Sequence, residues 1–431
     1  MSKKWRKRLI YFLVALCALA LVAVGAVKYL QGATLRAFTD GKLTGADYWT
    51  DKPEILSGGM GFDGIIGLST ISKETVREAG GSWYSGLKCT NGEAPGDDLL
   101  TSAAPASNIK YGYKGYADHD DGLPVVFSWP VATETVDPTD FKFTLNTGKT
   151  VFGHAAGMNP NWEDNERNTV VLFGDFGNRK KSSEPGAVFP IKLEIVADDT
   201  PLVLVGPGGK EVSAVGLTWT TSTSPYDSGP KLVGAKLNYV GANAVGEGGA
   251  SRLYEKKSGF IPNDEFALYG GGDFRLRVLT TGGFSPDGVT GLRPNMFEDF
   301  FRLHAKGPDG RTVLMSKVGV DYKLAGGTLR IVGLSDLGKA RNPDEGIYYD
   351  DCYEEDGDNY IDIILVGDAA AARDVTAVEI PSLQGGYQAF YNPGGPGPKP
   401  FAGVRYTAPG PPDLEPVVLA LDNPMRVSRN P

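Results

Sequence analysis

Histidine and cysteine are scarce in this chain, with three of each among 431 residues. His119, His154 and His304 leave few places for a neutral-pH proton shuttle, and His304 sits on the outward side of an alternating strand pattern, which suits a structural role. Cys17, Cys89 and Cys352 are too few for a disulfide scaffold. The sequence has no G-x-S-x-G nucleophile elbow and no H-E-x-x-H zinc motif, which removes two common hydrolase signatures. Gly148-Lys149-Thr150 ends like a phosphate-binding P-loop, but Phe143 stands where that loop needs its first glycine. Gly59-Met60-Gly61-Phe62-Asp63-Gly64 spells G-x-G-x-x-G without a good strand before it or a βαβ pattern after it, and reads as a glycine-rich loop. Basic charge is short too. Setting aside the six Lys and Arg of the first 28 residues leaves 37 of the 43, against 52 acids, a net charge of −15. Such a surface excludes nucleic acid as a partner and is compatible with cations.

What is present begins with the N-terminus. Lys3, Lys4, Arg6, Lys7 and Arg8 precede Leu9–Val27, which carries no charged side chain. Nineteen helical residues span nearly 30 Å at about 1.5 Å each, the thickness of a bilayer's hydrocarbon core. The run is longer than a usual signal-peptide core, so an uncleaved anchor with its basic end in the cytoplasm is the preferred reading. A cleaved signal and secretion is the alternative. Val14-Ala15-Leu16-Cys17 resembles a lipobox, with Leu16 where that box wants a small residue. Either way residues after Lys28 are placed outside the cytoplasmic membrane, in the cell envelope. Cys89 and Cys352 then meet an oxidising compartment and are expected to pair.

Fifty-eight glycines and 29 prolines favour short strands joined by turns. Residues 29–121 form an irregular N-terminal region expected to pack on the strand-rich part of the chain. Within it Ser72 caps a short helical pattern, Lys73–Ala79, that Gly80-Gly81 stops. From Leu123 the pattern becomes strands: Val125-Val126-Phe127-Ser128-Trp129-Pro130-Val131, then Phe141, Phe143 and Leu145 alternating with Lys142 and Thr144. Phe127-Ser128-Trp129-Pro130-Val131 followed by Val136-Asp137-Pro138-Thr139-Asp140-Phe141 resembles the "F-S-x-P-V … V-x-P-x-D-F" phrase of the bacterial Ig-like domains of cell-surface proteins. The resemblance covers about 25 residues and implies a fold, not an activity.

An internal repeat extends it. Phe141–Leu145 and Gly148–Val151 are echoed by Phe301–Ala305 and Gly310–Val313; Thr169–Gly174 is echoed by Thr328–Gly333, and Phe189–Val196 by Tyr360–Val366. The fold expected is therefore mainly β: tandem Ig-like β-sandwich modules at 122–260 and 261–390, behind a transmembrane helix at 1–28. A Pro/Gly-rich arm at 391–431 completes the chain, with Pro416 to Leu421 docking on a sheet edge.

Two acidic stretches are candidate sites. Asp350, Asp351, Glu354, Glu355, Asp356, Asp358 and Asp362 crowd the loop before the last strand of the second module. Their mutual repulsion is relieved by solvent or by a cation, and calcium takes six to eight oxygens. Glu354, Asp356, Asp358 and Asp362 are the metal candidates, although the spacing fails the EF-hand rule. In the first module Glu163, Asp164 and Glu166, with His119 in Asp118-His119-Asp120-Asp121, are the candidates for acidic catalysis. Two functions compete. One is an envelope-anchored structural or binding protein, calcium-stabilised, that is held to the membrane through residues 9–27 and meets an extracytoplasmic protein or glycan. The other is an exported hydrolase using those carboxylates.

Overall fold

The computed structural model describes residues 39–58, 66–78, 83, 87–89, 100–101, 103–107, 109, 113–118, 120–161, 163–178, 180, 182–225, 231–240, 268–283, 291–339, 349–355, 357–381, 390–391, 406–407 and 413–431. Leu9–Val27, the Gly59–Gly64 loop, His119, Asp356 and the two proline-glycine runs of the tail lie outside them. No helix among the described residues is long and apolar enough to cross a membrane.

The protein is mainly β, as its turn-rich composition predicts. Strands β1 (Leu43–Asp47) and β2 (Ile55–Ser57) lead in. Then come β3 (Asp121–Phe127), β4 (Phe141–Leu145), β5 (Thr150–Phe152), β6 (Ala155–Gly157), β7 (Thr169–Gly174), β8 (Pro190–Ile195) and β9 (Thr218–Thr220). A second run comprises β10 (Leu232–Tyr239), β11 (Phe274–Thr280), β12 (Arg302–Lys306), β13 (Thr312–Met315), β14 (Tyr322–Leu324), β15 (Gly327–Ser335), β16 (Tyr360–Gly367) and β17 (Val375–Ile380). The tail supplies β18 (Asp413–Pro416), β19 (Val418–Leu419) and β20 (Arg426–Arg429).

Four of the sheets build two modules. In the first, β2-β3-β7-β6, extended by Lys114–Gly115, faces β9-β8-β4-β5. Leu123, Val125, Phe127, Val170 and Leu172 of one sheet share a core with Phe141, Phe143, Leu193 and Ile195 of the other. In the second, β14-β15-β16-β11-β10-β19 faces β13-β12-β17-β18. Leu276, Val278, Ile361, Ile363 and Leu365 there meet Phe301, Leu303, Val378 and Ile380. Phe141, Phe143, Phe301 and Leu303 are all fully buried, as alternation requires of inward positions.

The strand order repeats between modules, but with two corrections to the reading from sequence. β7 (Thr169–Gly174) occupies the place of β16 (Tyr360–Gly367), and β8 that of β17 (Val375–Ile380); β15, echoed in sequence by β7, stands where β6 does. Generic apolar alternation fits more than one strand, so it slipped the match by one element. The boundary at 260 also moves. β10 pairs with β11, so residues 232–239 belong to the second module.

The tail closes edges. β18 pairs antiparallel with β17, β19 runs parallel to β10, and β20 pairs with β1. In the N-terminal region the Ser72 hydroxyl accepts from Thr75 N (3.2 Å) and starts the helix Lys73–Glu78. Cys89 and Cys352 form a disulfide, Cα atoms 5.3 Å apart, that ties this region to the loop before β16.

Candidate functional site

The modules meet through equivalent residues. Asn168 precedes β7 and Asn359 precedes β16. Asn168 Nδ2 donates to Phe127 O (3.0 Å) and Phe127 N to Asn168 O (2.8 Å). In the same way Asn359 Nδ2 donates to Thr280 O (2.8 Å) and Thr280 N to Asn359 O (3.0 Å). Each module then reaches across to the other's asparagine: Tyr360 Oη donates to Asn168 Oδ1 (2.9 Å), and Thr169 Oγ1 to Asn359 Oδ1 (3.1 Å). Thr169 and Tyr360 are themselves equivalent, each the first residue of its strand. The contact is isologous, of the kind that joins subunits of a twofold dimer, here within one chain. Val126, Leu279 and Tyr360 seal it with Trp49.

Beside this seam lies a buried ionic network. β10 and β11 turn Lys236, Arg275 and Arg277 to the outer side of the second module, and β1 lays Asp47 over them. Asp47 meets Lys236 Nζ at 2.6 Å, Arg277 Nη1 at 3.2 Å, Arg275 Nη2 at 3.5 Å and Arg426 Nε at 3.4 Å. Burial alone would raise the Asp47 pKa, but these four cations outweigh it and hold the carboxyl far below the ordinary range. Burial lowers the Lys236 pKa to about 8 against the pull of Asp47. The ammonium stays charged at neutral pH, 5.2 Å from the Trp49 ring centroid. That ring lies on Gly234, where a Cβ would come within 2.6 Å of it.

Arg277 is the hub. Its Nε meets Asp362 Oδ1 at 2.8 Å and its Nη1 meets Glu166 Oε1 at 3.2 Å, while Asp336 pairs with Nη2. Asp336 adopts a left-handed backbone (φ 62°), which aspartate tolerates better than most residues. One fully buried guanidinium thus serves four carboxylates, Asp47 included.

Glu163, Glu166 and Asp358 each offer an oxygen within 4.8 Å of the others, all three buried. Burial pushes their carboxyls up, Glu163 to about 7 and the other two well above the usual range, and their mutual repulsion with Asp336 adds to it. Two of the catalytic candidates, Glu163 and Glu166, and one metal candidate, Asp358, are therefore brought together by equivalent loops. The remaining candidates fall elsewhere. Asp164 pairs with Lys42 (2.8 Å) and Arg167 (3.4 Å). Asp362, expected beside Asp358 as a metal ligand, is instead bound to Arg277, because alternation on β16 turns it to the arginine-bearing face. Glu354 starts a two-residue strand with Glu355. His154 Nδ1 meets Asp120 (3.0 Å), and the His304 ring contacts the Glu379 carboxylate on β17, so both histidines are engaged in local side-chain contacts away from the seam.

Asp47, Lys236, Arg275, Arg277 and Asp336 were missed in the sequence. Phe274-Arg275-Leu276-Arg277-Val278 alternates like a strand with a solvated face, and nothing local reveals that β1 covers it. Compared with known proteins, the chain matches no family model, no curated protein and no solved structure.

Proposed function

We propose that this is an envelope-anchored, extracytoplasmic protein with a structural or binding role. Two Ig-like β-sandwich modules behind an N-terminal membrane helix act as one stiff unit, presenting their surface to an extracytoplasmic protein or glycan. The observation that carries this reading is the sealing of the carboxylates. Glu163, Asp164 and Glu166 are at most 4% exposed; Glu163 and Glu166 lie beside Asp358 of the other module, and Asp164 is paired with Lys42 and Arg167. A hydrolase needs such groups facing a pocket that admits substrate. Paired antiparallel sheets over one core support the sandwich part, and the basic head with its 19-residue apolar run supports the anchor. Fractionation of cells making the full chain tests the proposal, with protease added to intact spheroplasts. The chain is expected in the membrane pellet after a high-salt wash, with residues beyond 28 cleaved from outside. Recovery from the cytosol in protease-protected form overturns it.

A further inference from the structure

Three buried carboxyls in contact cannot all stay ionised without a counter-charge. Arg277 faces Glu166 and Asp336 here, and it is shared with Asp47 and Asp362. Glu166 is fully buried; its Oε1 faces Arg277, but its Oε2 accepts no hydrogen bond among the described residues. Asn161 Oδ1 is likewise buried without a hydrogen-bond partner, while its Nδ2 donates to the Oδ1 of Asn359, the residue after Asp358 (3.0 Å). A carboxylate with an orphaned oxygen, offering one of its oxygens within 4.8 Å of two more carboxylates, is a donor set with a missing partner. The chemistry of that set is all oxygen, which selects a hard divalent cation.

We propose that Glu163, Glu166 and Asp358 bind one calcium ion between the two modules. The ion brings two positive charges to carboxylates that otherwise repel one another. It also joins the loop before β7 to the loop before β16, so it clasps the seam at equivalent places in the two copies. The site is formed by the fold whatever the compartment, and it differs from an acidic loop that merely collects cations, because its ligands come from both modules.

The test uses the full chain, stripped with EDTA and dialysed, with calcium chloride alone as the probe. Calorimetric titration should give one calcium per chain, and saturation should raise the thermal midpoint by about 5 °C. Glu166→Gln and Asp358→Asn should each weaken binding on the order of 100-fold, while Glu354→Gln combined with Asp356→Asn leaves it unchanged. Should Glu166→Gln fail to fold, Glu163→Gln and the metal content of the chain purified without chelator still decide. No bound metal and no calcium-dependent shift would overturn the site, as would binding that survives Glu166→Gln and Asp358→Asn but vanishes in the Glu354/Asp356 variant.

Discussion

The outer faces of the two modules use the same lattice positions for opposite chemistries. Pairing registers place Val126 against Thr169 in the first module and Leu279 against Tyr360 in the second. Two residues further along, Pro124 opposes Val171 where Arg277 opposes Asp362, and Gly122 opposes Phe173 where Arg275 opposes Ile364. The N-terminal region covers both faces. On the first it brings Ile109, Tyr113 and Ala117 to Val171 and Phe173, with the Tyr113 and Phe173 rings edge to face at 4.6 Å. On the second it brings Asp47 to a row of cations. An apolar cover is non-directional and tolerates adjustment, whereas an ionic cover requires every charge to keep its partner. The repeated strand order therefore fixes where the cover lies, and the side chains decide how strictly it is held.

That contrast is broken most severely at Arg277. Arg277→Met keeps volume and apolar stem but leaves Asp47, Glu166, Asp336 and Asp362 without their common cation. Removing one partner of a buried ion pair costs about 3–5 kcal/mol, and the loss of a cation shared by four buried carboxylates puts this variant at or beyond the top of that range. Chemical denaturation should show it near or below the folding threshold. A loss under 1 kcal/mol would mean that the network is hydrated and the two faces are alike. On the apolar side, Phe173→Ala removes a ring from a cluster that can partly collapse, at about 3 kcal/mol. Protease should then cut within 100–117 before it cuts either module's paired sheets, because that segment loses its anchor ring.

How much of the fold and of the site was legible depends on where the information resides. Period-two alternation marked Phe141, Phe143, Phe301 and Leu303 as core, since that signal is carried within five residues of one strand. A repeated strand order was legible in part for the same reason, but the match slipped because Thr169–Gly174 resembles any buried strand. Asn168 and Asn359, each followed by an apolar strand ending in Gly-Asp, were the sharper marker. Glu163, Glu166 and Asp358 were each recognisable as unusual, yet in separate stretches with different chemistries. Their meeting depends on how one module docks on the other, and no local pattern encodes that. Asp47 was illegible altogether: a lone acid in a weakly patterned stretch acquires meaning only from the strand it covers.

The reciprocity of the seam can be sharpened by paired variants. Asn168→Ala and Asn359→Ala each leave a strand-end carbonyl without its amide donor and strand a hydroxyl from the other module. Each should cost about 1–3 kcal/mol, with Asn359→Ala the costlier because it also strands Asn161 Nδ2. The double variant tests coupling: equivalent asparagines acting through one interface should lose less together than the sum of their separate losses. Strict additivity would indicate that each serves only its own module.

The smallest effect concerns a position where the copies differ inside the core. Asp140 precedes Phe141 just as Phe300 precedes Phe301, so a carboxyl stands in one module where a phenyl stands in the other, and both side chains are buried. Burial raises the Asp140 pKa to about 7 and nearby Asp198 adds to this, while N–H donation from Asp137 (2.9 Å) and Leu202 (3.2 Å) works the other way. A carboxyl whose folded pKa lies above its unfolded value favours the folded state in its protonated form. That contribution is complete below about pH 4 and is lost as pH rises through about 7. Asp140→Asn cannot ionise, so the difference in thermal midpoint between parent and variant should move against the parent from pH 4 to pH 8. Were the difference to move in the parent's favour instead, the two N–H donors would have won over burial, and Asp140 would be an ordinary capping carboxylate.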